Sequence, residues 1–307
     1  MKIRRALLPR LLIPVLSACG AGGSVAPRPV VPIAEALRLF EYDARAPIGL
    51  RIVSTRKTGT LKVQEITYAS PKGGRVPATL IVPDGAGPFA GILLMHGMPG
   101  TRAVTLPEAE TLARRGAVTL SIDAPFARRR GEPVQLTRRD RDQQVQLIVD
   151  WRRGVDLLTS RRDVDPKRLA YVGQSYGGAM GGLLAGVEKR IRAYALAVGD
   201  GGLVSHVMGT GDPDFQRLSR SARERWLAAM EPVEPLRFVG RAAPAHLLFQ
   251  NGRRDRLVPP SSAEAYQAAG SEPKTIEWYD TDHFLDEQAT RDRHLWLAEQ
   301  IGIAKPD

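Results

Sequence analysis

Short apolar runs of strand length alternate with amphipathic helical patterns from residue 61 to residue 301, and this alternation limits the possible folds. Parallel strands need a long crossover between them, usually a helix, so the pattern predicts a mostly parallel α/β sheet. Ala90–Met95 is a continuous apolar run, suited to a strand covered on both faces. Ala117–Ile122, Leu169–Gly173, Ala193–Val198, His246–Phe249 and Thr275–Tyr279 follow as strands. Two earlier runs, Leu61–Ala69 and Val76–Val82, flank Pro71-Lys72-Gly73-Gly74 and read as a paired hairpin. The expectation is an eight-stranded sheet flanked by helices. In Asp140–Ser160, Leu147, Ile148, Trp151, Val155 and Leu158 recur at three- and four-residue spacings, the stripe of a helix packed on a sheet. Ser261–Ala269 and Asp286–Ile301 read as helices too. Residues 201–241 have no sheet role; they hold an expected helix at Phe215–Met230 and form a candidate small lid.

At 307 residues, 43% hydrophobic and 25% charged, the chain can bury a sizeable core, which excludes disordered, collagen-like and coiled-coil classes. Within this frame one motif carries chemistry. The strand Leu169–Gly173 runs into Gly173-Gln174-Ser175-Tyr176-Gly177-Gly178, followed by the small-residue run Ala179-Met180-Gly181-Gly182. A nucleophilic serine must project from a sharp strand-to-helix turn. Glycines two before and two after avoid clashes across that turn. Small residues beyond let the helix sit close to the sheet. The Tyr176 N–H then lies at a helix N-terminus, aimed where an oxyanion forms. Alone the pattern also fits a glycine-rich structural turn; the strand before and helix after favour the functional reading.

A serine nucleophile needs a base, and the base an orienting acid. Of five histidines, His206 lies in the candidate lid, His246 begins a strand, His294 lies within the last helix and His96 follows the strand ending at Met95. His283 follows the last strand, in a loop at the C-terminal edge, where parallel sheets place their ligand sites. It is the expected general acid–base; the plainer alternative is a solvated loop histidine. Asp255 follows the strand at 245–250, on the loop beside that of His283. Asp200 is its rival. Asp255 is favoured because serine, acid and histidine then run in the order of a nucleophile-elbow enzyme. Asp280 and Asp282 are too close in sequence to His283. A second oxyanion donor is expected from the Gly97-Met98 peptide region, with His96 holding that loop.

These residues resemble the α/β-hydrolase superfamily over roughly residues 45–303, in the branch of dienelactone-hydrolase-like and prolyl-oligopeptidase-like serine esterases. The resemblance rests on Leu93-Leu94-Met95-His96-Gly97, Asp163-Val164-Asp165-Pro166-Lys167-Arg168, Gly173-Gln174-Ser175-Tyr176-Gly177-Gly178, Asn251-Gly252 through Val258-Pro259 around Asp255, and Asp282-His283. It implies the α/β-hydrolase fold, with Ser175 attacking an acyl carbon, His283 shuttling the proton and Asp255 orienting it. It also implies Met98 and Tyr176 as oxyanion-hole donors and a loop-structuring role for Asp123. Two departures matter. Dienelactone hydrolases proper use cysteine where this chain has Ser175, so their substrate does not carry over. Neither a propeller before the domain nor a long lipase-like lid is evident.

The first residues carry a separate signal. Met1-Lys2-Ile3-Arg4-Arg5 is basic, Ala6 to Leu16 is a short apolar stretch, and Leu16-Ser17-Ala18-Cys19 resembles a bacterial lipobox. The expectation is a lipoprotein signal at 1–18, then acylated Cys19 and a flexible tether over 19–44, with the domain at 45–307. The chain would be secreted across the cytoplasmic membrane and held in the bacterial envelope by the lipid. A plain signal peptide with an incidental cysteine is the alternative. One cysteine permits no intrachain disulfide and no cysteine-based zinc site.

Lys and Arg number 44 against 33 Asp and Glu, a formal charge of +11. Arg128-Arg129-Arg130, Arg138-Arg139 and Arg141 cluster after the strand ending at Ile122. No aromatic interleaving or known motif accompanies them, so nucleic acid is not expected and a solvated face is. The expected function is hydrolysis of a small carboxylic ester without metal or organic cofactor. Thioester, lactone or peptide cleavage, and a non-catalytic binding lipoprotein on the same scaffold, are the alternatives.

Overall fold

The computed structural model describes residues 30–129 and 132–306. The expected signal segment, Cys19 and Arg130 lie outside them.

Every residue of β4 (Phe89–Met95) after Phe89 is buried. Side chains alternate across a strand. Leu93 and Met95 enter one core cluster, while Ala90, Ile92 and Leu94 enter another on the opposite face. β4 pairs in parallel with β5 (Ala117–Ile122) on one side and β6 (Val164–Gln174) on the other. Beyond β6, β7 (Ala193–Ala197), β8 (His246–Gly252) and β9 (Lys274–Tyr279) continue in parallel. Beyond β5, an antiparallel meander of β1 (Arg51–Thr58), β2 (Leu61–Ala69) and β3 (Arg75–Pro83) completes the sheet. The order is β1-β2-β3-β5-β4-β6-β7-β8-β9. The sheet is mostly parallel, an α/β-hydrolase fold.

Among the described residues the helices are α1 (Ile33–Arg38), α2 (Leu106–Arg114), α3 (Arg138–Thr159), α4 (Tyr176–Val187), α5 (Leu203–Thr210), α6 (Pro213–Arg217), α7 (Arg220–Met230), α8 (Pro260–Ala269) and α9 (Glu287–Ile301). α2 and α9 supply Leu112, Leu297 and Ile301 to one core. α3, α4 and α8 supply Leu147, Trp151, Met180, Leu183 and Tyr266 to the other. Both faces are covered, so the loops after β4, β6, β7, β8 and β9 emerge at one edge of the sheet.

The sheet differs from the sequence expectation in having nine strands. β1 is exposed along almost its whole length and carries Arg51, Arg56 and Lys57. It lacks the apolar alternation that marks a strand, and at the sheet edge it needs none. The expected tether also ends sooner than residue 44. Ala36 and Phe40 are fully buried, and the Phe40 ring packs edge-on against Phe238 at 5.7 Å. Arg152 donates from Nη1 to the Phe40 carbonyl at 2.7 Å. The expected helix at 215–230 is instead α6 and α7. Leu218 leaves helical geometry, and the Ser219 side chain accepts from the Ala222 N–H to cap a new helix.

Candidate active site

The turn between β6 and α4 presents Ser175 with φ 55° and ψ −118°, a strained conformation for a residue with a Cβ. Two glycines make the turn possible. A side chain at Gly173 would strike the Gly177 carbonyl, and one at Gly177 would lie 2.6 Å from the Met95 carbonyl oxygen. The Ser175 N–H donates to the Ala197 carbonyl at 2.9 Å, tying the turn to the end of β7. Ser175 caps α4, and Tyr176 is its first residue. A first-turn N–H has no acceptor within its helix, so the Tyr176 N–H is available at the site.

Met98 lies on the loop after β4. His96 Nε2 accepts from the Ala124 N–H at 3.1 Å, so the ring proton sits on Nδ1, which donates to the Gly97 carbonyl at 2.7 Å. The Gly100 N–H donates to the same oxygen at 2.9 Å. In a planar trans peptide the N–H points opposite the C=O. Fixing the Gly97 carbonyl from two sides therefore fixes the Met98 N–H in the other direction. Gly97 runs close to the serine: a Cβ there would lie 3.1 Å from Ser175 Cβ. The sequence expectation that His96 holds this loop agrees with these bonds.

His283 and Asp255 meet on the loops after β9 and β8. His283 Nδ1 lies 2.7 Å from Asp255 Oδ2, and both residues are buried. The other oxygen, Oδ1, accepts from the Leu257 and Val258 N–H groups at 2.8 and 2.9 Å. Burial alone would raise the Asp255 pKa; the His283 bond and these two N–H groups outweigh it and hold the carboxyl below its ordinary range. An ionised carboxylate only accepts, so Nδ1 carries the proton and Nε2 is left as the basic nitrogen.

Ser175, His283, Met98 and Tyr176 line one cavity of about 540 Å³. Its remaining walls are mainly apolar and include Val104, Leu203, Leu257, Val258 and Phe284. Val104, Leu257 and Phe284 are exposed at its rim. Asp200 and His206 line the same cavity, bonded to each other: Nδ1 to Oδ2 is 3.0 Å. Asp200 is thus committed to His206 on α5 rather than to His283. Sequence reasoning considered both residues singly and missed the pair, because nothing in their six-residue separation marks a contact. Only the first turn of the 201–241 segment lines the cavity, through Gly202, Leu203 and His206. α7 packs elsewhere, with Trp226 Nε1 donating to Asp140 at 2.8 Å.

Asp123 does organise a loop. Its Oδ1 accepts the Arg102 N–H at 2.8 Å, and its other oxygen pairs with the Arg102 guanidinium. The arginine face needs a correction at Arg128. Its side chain is 11% exposed and pairs at 2.7 Å with Asp150, which is fully buried. Arg128 is part of the domain's interior structure, not a solvated residue.

A sequence profile of the prolyl oligopeptidase family matches residues 104–290, well over half of the chain. The chain belongs to that family. The prolyl oligopeptidase match spans the serine turn, Asp255 and His283, and it makes the protein a serine-type hydrolase. The uncharacterized protein YfhR of Escherichia coli O157:H7 is 25% identical over 242 residues, covering 75% of this chain and 76% of YfhR. Acetyl esterase Axe7A of Xylanibacter ruminicola is 26% identical over 169 residues, covering 53% of this chain and 38% of Axe7A. Among solved structures, acetyl xylan esterase 1 from Thermoanaerobacterium sp. superposes with a TM-score of 0.73 at 16% identity, covering 87% of this chain and 93% of that one. This last likeness is one of fold.

Proposed function

We propose that this family member is a carboxylic ester hydrolase that works through an acyl-enzyme on Ser175. The observation that carries the reading is the 2.7 Å bond between His283 and Asp255, beside the strained Ser175 turn in one cavity. His283 Nε2 takes the hydroxyl proton as Ser175 Oγ bonds to the acyl carbon. The carbonyl oxygen becomes an oxyanion facing the Met98 and Tyr176 N–H groups. Collapse breaks the ester C–O bond, and His283 returns its proton to the departing alkoxide, releasing the alcohol. Water then attacks the acyl-enzyme with His283 again as base, and the acid leaves with Ser175 regenerated. Asp255 keeps the ring in the tautomer that both half-reactions need. Every proton in this cycle is handled by the protein or by water.

One protein similar in sequence is an acetyl esterase and one similar in fold is an acetyl xylan esterase, and a cavity of about 540 Å³ with mostly apolar walls suits a small neutral ester. We take short acyl groups, acetate first, as the substrate class. Rates on 4-nitrophenyl acetate, its longer-chain homologues and a proline-containing 4-nitroanilide test this. The expected order is acetate ester above long-chain esters and far above the anilide. An anilide cleaved with the higher kcat/KM would favour a peptidase; no ester or amide turnover would favour a binding scaffold.

We also propose that the protein is exported and lipid-anchored. Cys19 lies outside the described residues, and the lipobox-like sequence before it supports export and acylation. Cys19→Ser is then expected to move the protein from the membrane fraction to the soluble one. Wild type already found in the soluble fraction would contradict the anchor.

A further inference from the structure

Away from Ser175 and His283, the candidate site holds a second imidazole–carboxylate pair with no part in the acyl-transfer cycle. Asp200 is buried, and its Oδ1 accepts the Gly202 N–H at 3.1 Å while Oδ2 faces His206 Nδ1. It follows Val198, a β-branched residue held at φ 45° by a 2.7 Å bond from its N–H to the Gln250 carbonyl. His206 sits in the first turn of α5, with its N–H bonded to the Gly202 carbonyl at 2.8 Å. That helix start is clamped from below: the buried Glu234 carboxyl group accepts from the Val204 and Ser205 N–H groups at 3.1 and 3.4 Å. The imidazole is therefore held on both sides, yet 40% of its side chain is exposed, and it lines the cavity.

The bond to Asp200 also settles the tautomer. A carboxylate accepts from Nδ1–H, which leaves Nε2 for a ligand. The bond to Asp200 is the leading influence on His206 and raises its pKa, which favours a proton on Nε2 as well and makes it a donor. The surroundings then restrict what it can receive. No lysine or arginine lines the cavity among the described residues, although the chain as a whole is strongly basic. Asp200 cancels the imidazolium charge directly, and Asp212 and Asp255 add carboxylates nearby. A substrate carboxylate would meet this negative field; an uncharged oxygen would not.

We infer that His206 is a specificity-determining residue that donates from Nε2 to an uncharged oxygen, a hydroxyl or ether, in the alcohol portion of the ester. The inference rests on the esterase reading above. It assigns the α5 side of the cavity to a polar, hydroxylated leaving group, with the apolar walls taking the acyl chain. Asp200 acts through His206 as a positioning residue.

Two acetates of equal chain length test it: propyl acetate and glycerol 1-monoacetate. For His206→Phe, kcat/KM on glycerol monoacetate is expected to fall about tenfold, mainly through KM, which is the scale of one lost hydrogen bond. The fall on propyl acetate should be much smaller, so that the ratio of the two esters shifts severalfold, and a melting curve reports that the variant is folded. His206→Gln, which keeps an N–H donor and is gentler on the buried Asp200, should recover part of the lost preference. Equal falls on both esters, or no fall on either, overturn the inference and leave the esterase reading standing. Wild type that prefers acetylated lactate, with its carboxylate, overturns the uncharged-oxygen assignment. Wild type that cleaves neither acetate overturns the esterase reading and this inference with it.

Discussion

A carboxylate with three donors around it has no proton to give and no freedom to turn. Asp255 is such a group, held by His283 and by the Leu257 and Val258 N–H groups. Under the proposed cycle its task is the His283 tautomer. Asp255→Asn should leave the fold intact and lower kcat on an acetate ester by roughly 10³–10⁴, because an amide can present its N–H to Nδ1 and strand the proton on Nε2. Steady-state rates with a melting curve of the same variant check this. At the residue scale much was legible. The Ser175 glycines, the loop of His283 and the order of Ser175, Asp255 and His283 all come from local sequence. The Asp200–His206 bond was not, because it joins a strand end to a helix through an unusual turn at Val198. The burial of Arg128 is hidden for a related reason: three adjacent arginines look solvated, and sequence does not reveal that Asp150 waits beneath one of them.

At the scale of elements, the close seat of α4 on the sheet decides where the serine stands. Gly177→Ala pushes a methyl group against the Met95 carbonyl, at the end of β4. An overpacked contact of this kind costs about 1–3 kcal/mol, so denaturant unfolding should show a lower midpoint. Activity should fall with it, because the same shift moves Ser175. Arg128→Ser should separate the two effects. It leaves Asp150 buried without its partner, a loss of about 3–5 kcal/mol, while kcat on a neutral ester below the melting transition stays near wild type. The core strands and long helices were legible because burial on both faces writes continuous apolar runs and burial on one face writes a stripe. β1 was not, since an exposed edge strand has nothing to bury. The break between α6 and α7 depends on one capping side chain, Ser219, inside a pattern that otherwise continues.

For the whole molecule, two carboxyl groups, the partly buried Glu108 and the buried Glu234, set opposite pH limits on stability. Burial would raise Glu108, but Arg293 at 2.8 Å, with His294 close by, holds it at about 2. A depressed pKa contributes stability that is present above the ordinary value of 4.5 and is lost as pH falls towards 2. Burial raises Glu234 to about 8 despite its two N–H partners. A raised pKa contributes stability that is present below 4.5 and is lost as pH rises towards 8. Melting temperature is therefore expected to decline at both ends. Glu234→Gln should raise it relative to wild type at pH 8 and do little at pH 4.5. A Glu234→Gln effect of the same size at both pH values would contradict this assignment. The central claim, however, concerns one hydroxyl on one strained turn. The most direct measurement is labelling of residues 30–307 with a fluorophosphonate probe, for wild type and Ser175→Ala side by side. The account predicts one covalent adduct on wild type, mapped by mass spectrometry to Ser175, and none on the variant. A folded wild type that stays unlabelled, or an adduct that survives in Ser175→Ala, would contradict it.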